Sequence, residues 1–113
     1  MDILVIGSLN MDMTMYLDRF PQIGETLACR DILTTPGGKG SNQALAAARM
    51  GAQVQMVGCV GDDLYGQALI HNLSENGVDA THVKSLPDMT TGLAVITVSN
   101  GNNMILLNAG ANA

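Results

Sequence analysis

Two rhythms of hydrophobic and polar residues run along this chain. Ile3-Leu4-Val5-Ile6 is a continuous apolar run ending at Gly7, the pattern of a strand buried on both faces. From residue 10 to 17, Met11, Met13 and Met15 alternate with Asp12, Thr14 and Tyr16, a period of two that predicts a strand with one wet face. Residues 20–26, Phe-Pro-Gln-Ile-Gly-Glu-Thr, read as a turn, and 27–35 as a weaker strand. Pro36-Gly37-Gly38-Lys39-Gly40 then breaks the pattern. The alanine-rich segment 41–50 predicts a helix pressed closely onto a sheet, with Gly51 as its stop. A further strand is expected over 54–59. Gly61-Asp62-Asp63 offers an N-cap to a second helix, with Leu64, Ala68, Leu69 and Leu73 as its apolar stripe and Gly77 as its end. After a short extended piece at His82-Val83, two strands are expected over 91–99 and 104–108, around the turn Asn100-Gly101-Asn102-Asn103.

Strands alternating with helices indicate an α/β domain with parallel strands. The alternating strands and the final hairpin differ in character and suggest a small second sheet standing off the main one. A doubly wound sheet would normally continue past the last strand, so residues 1–113 are expected to be a single partial domain, the front part of a longer protein.

Composition narrows the function. The chain is acidic, with five Lys+Arg against ten Asp+Glu and a net charge of −5. Arg19, Arg30, Lys39, Arg49 and Lys84 are scattered, whereas a nucleic-acid or anionic-membrane surface needs basic residues in clusters. Aromatic residues make up 3% with no Trp, which leaves nothing for bases to stack on. No apolar run approaches the roughly 20 residues of a membrane span, and no basic segment precedes the first apolar run, so we expect a cytoplasmic protein without a signal peptide. Cys29 and Cys59 are far apart and read as buried, reduced thiols. His71 and His82 fit no metal-ligand spacing, so no metal site is expected in this chain.

The residues with chemical potential lie at two places. Gly37-Gly38-Lys39-Gly40-Ser41-Asn42 precedes a helix, where glycines let backbone N–H groups approach an anion or a hydroxyl-rich ligand. The match to a Walker A loop fails, because position 33 is Leu and position 40 is Gly, and no G-x-G-x-x-G follows the first strand. Asn10 and Asp12 are two apart on an extended segment and so point to one side. A carboxylate that accepts and an amide that donates and accepts can together hold vicinal hydroxyls; solvated turn residues are the plainer alternative for the pair. At least one of Asp62 and Asp63 is expected to cap the second helix rather than bind metal.

In order along the chain, Ser8-Leu9-Asn10-Met11-Asp12, residues 21–26, Gly37-Gly38-Lys39-Gly40-Ser41-Asn42-Gln43-Ala44, Gly58-Cys59-Val60-Gly61-Asp62-Asp63-Leu64-Tyr65-Gly66 and residues 108–113 resemble successive signatures of the ribokinase-like (pfkB) carbohydrate kinases. The lysine in Gly-Gly-Lys-Gly-x-Asn-Gln-Ala is closer to the ribose kinases of that family than to fructokinases or adenosine kinases. The resemblance implies the N-terminal part of a ribokinase-like doubly wound sheet with a small β-sheet lid, its strands at about 11–17, 27–35 and 91–108. It implies that Asn10, Asp12, Gly38, Lys39 and Asn42 bind substrate, that Gly37 and Gly38 form the lid hinge, and that the lid makes a homodimer.

The implied activity is ATP-dependent phosphorylation of a sugar, D-ribose to D-ribose 5-phosphate, with Mg²⁺ and a monovalent cation such as K⁺ serving the full-length kinase. The family's second signature, with its anion hole and aspartate base, has no counterpart in these residues. No catalytic residue is therefore expected here, and the 113-residue chain alone is expected to be inactive and to bind none of these cofactors. Two other outcomes are a non-catalytic sugar-binding or dimerising module, and a deoxyribose or nucleoside kinase of the same fold.

Overall fold

The computed structural model describes residues 2–113. Its seven strands form two sheets. The core sheet contains β1 (Asp2–Ile6), β4 (Gln53–Gly61) and β5 (Val78–Leu86), all parallel, in the order β1-β4-β5. Two helices, α1 (Lys39–Arg49) and α2 (Leu64–Glu75), carry the chain from β1 towards β4 and from β4 to β5. Both crossovers step the same way along the sheet, so a right-handed connection puts both helices on the same face, and they touch each other there. Val5, Val54, Met56, Val60, Val78 and Val83 meet Ala44, Leu45, Leu69 and Leu73 between the layers.

That one-sided cover corrects two expectations. β1 is not buried on both faces: Val5 points into the core, while Leu4 and Ile6 are 57% and 74% exposed on the open face. The stripe of α2 is also rotated from the expected one. Leu69 and Leu73 are buried, with Gly66 beneath them, but Leu64 is 80% exposed and Ala68 faces solvent. Asp63 caps the helix and ties its start to Thr91, the residue before β6 (Gly92–Ser99). Its carboxylate accepts from Gly66 N at 2.8 Å, from Thr91 N at 2.9 Å and from Thr91 Oγ1 at 2.5 Å.

The second sheet has the order β3-β2-β6-β7, where β2 is Asn10–Tyr16, β3 is Asp31–Gly37 and β7 is Asn102–Asn108. β2 pairs antiparallel with β3 and parallel with β6, and β6 returns antiparallel as β7. Asn100 and Gly101 both have positive φ, 50° and 79°, the signature of a two-residue hairpin turn matched to strand twist. Asn102 and Asn103 thus belong to β7, not to the turn. β3 starts four residues later than expected and runs on through Pro36 to Gly37. In the loop before it, Arg19 grips Glu25 through two bonds of 2.8 and 2.5 Å. That clamp holds the Glu25 carboxyl at about 2. Pro36 is tolerated because β3 is an edge strand, where the missing N–H need not cost a ladder bond. Cys29 and Cys59 are unpaired and half-buried rather than fully buried. Among the described residues, no helix is long and apolar enough to cross a membrane.

Candidate functional site

Four chain segments cross between the two sheets, and the candidate site forms where three of them meet. β2 leaves the β1 end at Asn10. β3 delivers Gly37 and Gly38 to α1. The segment after β7 folds into a 3-10 turn, Gly110–Asn112, against the start of β2. The cleft between them holds about 340 Å³ and is lined by Ser8, Asn10, Gly38, Lys39, Asn42, Leu107, Ala109 and Asn112, within the range of small-ligand sites.

Gly38 shapes one wall. It has φ 95° and ψ 139° and is the N-cap of α1, a conformation that L side chains rarely adopt. A Cβ there would lie 2.7 Å from Ser8 O and 2.9 Å from Asn10 N. Gly37 lies outside the left-handed region and is needed for space: a Cβ on it would overlap the Asp12 carboxylate. The helix starts at Lys39, two residues earlier than expected, so Lys39 and Asn42 stand three apart on its first turn and share a face. The first turn is held by Ser41 N donating to Ser8 O at 3.0 Å, with Gly40 packed against the Gly7–Ser8 peptide. Ser41 itself is buried, and its Oγ has no hydrogen-bond partner among the described residues.

Asn10 and Asp12 lie on the same face of β2, and Met11 between them points into the core. Asn10 faces the cleft directly. Asp12 is one step further along the strand, against Gly37, outside the cleft lining. It is half-buried, and burial raises its carboxyl above the usual value. The five proposed ligand-binding residues are therefore brought to one region, four around the cleft and the fifth beside it.

One residue of this site escaped the reading of individual positions. Asn112 donates from Nδ2 to Leu9 O at 3.0 Å and to Asn10 Oδ1 at 2.8 Å, and its Oδ1 accepts from Leu9 N at 3.0 Å. Nothing local marks an asparagine in Gly-Ala-Asn as part of a site; only the fold brings it to Asn10. A hollow of about 360 Å³ adjoins the cleft and shares Ser8 and Asn112 with it, and two of about 520 and 560 Å³ lie elsewhere. One is at the N-terminal ends of β1 and β4, and the other lies beside Tyr65 and Leu93. Neither gathers the amides, glycines and lysine of the smaller cleft.

The other crossing, into β6, is tied down by Asp63. Burial pushes the Asp63 carboxyl up, but the bonds from Thr91 and Gly66 outweigh it and the net shift is downward. A lowered folded-state value means that this stabilisation is present above the ordinary carboxylate range and is lost as pH falls through the folded-state value. Asp63→Ala is expected to cost roughly 2–3 kcal/mol, from a lost cap and an unsatisfied buried Thr91. Urea unfolding at neutral pH reads the loss, and the gap between wild type and variant should narrow under strong acid.

Comparison with known proteins fits this geometry. The sequence profile of the pfkB family carbohydrate kinases matches residues 1–113. Ribokinase of Bacillus subtilis is 48% identical over 111 residues, covering 98% of this chain and 38% of that protein. A deoxyribokinase of Salmonella typhi is 42% identical, covering 99% and 37%. Among solved structures, Arabidopsis thaliana ribokinase complexed with ribose and ATP superposes with a TM-score of 0.92 at 34% identity, covering 97% of this chain and 36% of that one. The chain thus spans little more than a third of the proteins it matches.

Proposed function

The chain belongs to the pfkB family of carbohydrate kinases, and on that premise we propose that it is the sugar-binding and lid portion of an ATP-dependent ribokinase. The supporting observation is the cleft itself: an amide, a nearby carboxylate, a lysine and a second amide converge beside a positive-φ glycine at the junction of sheet and lid. Asn10 and Asp12 hold the ring hydroxyls of D-ribose, while Lys39 and Asn42 approach from α1. Gly37 and Gly38 form the hinge on which the small sheet closes, excluding water from the acceptor hydroxyl. These residues bind and orient; they do not transfer the phosphoryl group. Asp12 is the one carboxylate beside the cleft, and it is committed to holding hydroxyls. The base that deprotonates the acceptor and the site for ATP lie outside residues 1–113.

Mg²⁺ and a monovalent cation belong to the same full-length reaction. Among the described residues no three His, Cys, Asp or Glu converge as metal ligands, so these residues do not fit a metal site. The protein acts in the cytoplasm. The lid also makes the homodimer: on a four-stranded sheet with free edges, Ile32, Met104 and Leu106 are about half-exposed or more on the face turned away from Asn10 and Asp12, an apolar face that self-association would cover. Sedimentation of the full-length protein as a monomer at micromolar concentration would remove this part of the proposal.

A second reading has a specific observation behind it. The 42% identity to a deoxyribokinase falls within the 32–48% range of identities to ribokinases, so 2-deoxyribose is the competing substrate. The test is ADP release with D-ribose, 2-deoxyribose and ribonucleosides. The full-length protein and the 113-residue chain are compared, both purified from a host lacking its own ribokinase. We expect D-ribose to be the preferred substrate of the full-length protein and the chain alone to show no sugar-stimulated turnover. Turnover by the chain within tenfold of the full-length protein would overturn the assignment of roles, and a preference for 2-deoxyribose would replace the substrate.

A further inference from the structure

We propose that Asn112 is a positioning residue that fixes the Asn10 side chain with its N–H₂ group facing the ligand. The inference rests on the sugar-site reading above and deepens it.

The argument is one of hydrogen-bond polarity. A backbone N–H can only donate and a backbone carbonyl can only accept. Asn112 meets both groups of Leu9, so its amide has a single allowed orientation: Oδ1 towards Leu9 N and Nδ2 towards Leu9 O, each at 3.0 Å. Nδ2 then has one proton left, and that proton points to Asn10 at 2.8 Å. Asn10 must present its oxygen there, because two N–H₂ groups cannot bond each other. The backbone of Leu9, a residue with no exposure, thereby dictates the orientation of a side chain in the cleft. Asn10 Nδ2 is left with two donors that no bond among the described residues uses.

Gly92 supports the assignment independently. It pairs with Asn10 in the ladder, and a Cβ on it would overlap both Asn10 Oδ1 and Asn112 Nδ2. The hydrogen bond exists only because position 92 has no side chain.

The consequence is a directed relay. Asn112 donates to Asn10, Asn10 donates to a ligand oxygen, and the ligand's own hydroxyl donates to Asp12. A sugar hydroxyl suits this arrangement because it accepts and donates through one atom. A ligand offering only donors would meet the N–H₂ of Asn10 head-on.

Asn112→Asp reverses the polarity. The carboxylate can donate neither to Asn10 nor to Leu9 O, so it gives up the second Leu9 bond as well, and the Asn10 amide turns over to donate to it and shows the ligand its oxygen. In the full-length protein, D-ribose affinity measured by calorimetry should fall roughly tenfold to a hundredfold, the scale of a lost bond with one partner left unsatisfied. Gly92→Ala, which keeps both amides and drives them apart, should act in the same direction.

The deciding comparison is a double-mutant cycle. In an Asn10→Ala background, Asn112→Asp should change ribose affinity by less than about twofold. An equal loss in both backgrounds, or no loss in the wild-type background, would overturn the proposal. The Asn10 side-chain amide resonance in ¹⁵N spectra without sugar gives a readout that does not depend on the sugar reading. It should shift clearly in Asn112→Asp, and an unmoved resonance would overturn the pairing. If the wild-type protein binds no ribose, the sugar reading fails while this resonance still decides the role of Asn112.

Discussion

Replacing Gly38 by valine should lower kcat/KM for the sugar in the full-length protein by roughly thirtyfold to a thousandfold while leaving most of the folding stability intact. Gly38 holds φ 95°, and forcing a β-branched residue into that region costs about 1–3 kcal/mol. The added Cβ would also press on Ser8 O at 2.7 Å and Asn10 N at 2.9 Å. The strain is relieved by moving the start of α1 away from β2. That movement separates Lys39 and Asn42 from Asn10, and the loss therefore appears in catalysis. The core between α1, α2 and the parallel sheet lies elsewhere and can stay packed. Steady-state kinetics and a melting curve on the same sample separate the two effects. A variant that melts normally and turns over at the wild-type rate would reduce Gly38 to an ordinary turn residue. Gly38→Ala should fall in between.

Asp12→Asn should weaken D-ribose binding by roughly tenfold to a hundredfold, corresponding to about 1.5–3 kcal/mol for a hydrogen bond to a charged group. Burial already raises the Asp12 carboxyl, because no basic partner offsets its lost hydration. A ligand hydroxyl that donates to it supplies the missing compensation, so ribose favours the ionised form. The sign follows from linkage. Wild-type affinity should fall as pH drops through the Asp12 value, and the Asp12→Asn variant should show no such fall. Titration calorimetry across the acid range checks both parts. Equal affinities at neutral pH would leave Asp12 a half-buried strand residue with no part in binding.

What the sequence could and could not show follows from which forces leave a linear trace. The methionine alternation of β2 is legible because apolar and polar residues take opposite faces of the strand, although beyond Met11 both faces end up half-buried. β5 shows the opposite case. It runs for nine residues, but only His82-Val83 stood out as extended, because Asp79, Thr81, Lys84 and Ser85 leave no apolar run. A register shift opposite Gln55 and Val57 further breaks the alternation. The continuous apolar run of β1 was misleading in a different way. Such a run signals burial on both faces only when something covers both, and in this chain Leu4 and Ile6 lie open. At the site, Asn10, Gly38, Lys39 and Asn42 were legible because unusual residue types cluster at a strand-to-helix turn. Asn112 was not, because its role depends on a contact between the two ends of the chain.

The pairing of β2 with β6 also sets an order of assembly during synthesis. Residues 10–16 leave the ribosome early, but their parallel partner, residues 92–98, emerges only after the core sheet and both helices have been made. Contacts between distant segments form slowly, because the loop between them must close before the pairing stabilises it. Until then β2 can pair only with β3, and one edge of the growing sheet stays open. The core can therefore condense while the lid is still a two-stranded ribbon with Met13 and Met15 uncovered, an intermediate of the kind that chaperones hold. The Asn100-Gly101 turn gains a kinetic importance from this. By closing the β6–β7 hairpin locally, it presents the waiting ribbon with a preformed partner and shortens the time that the nascent chain is sticky.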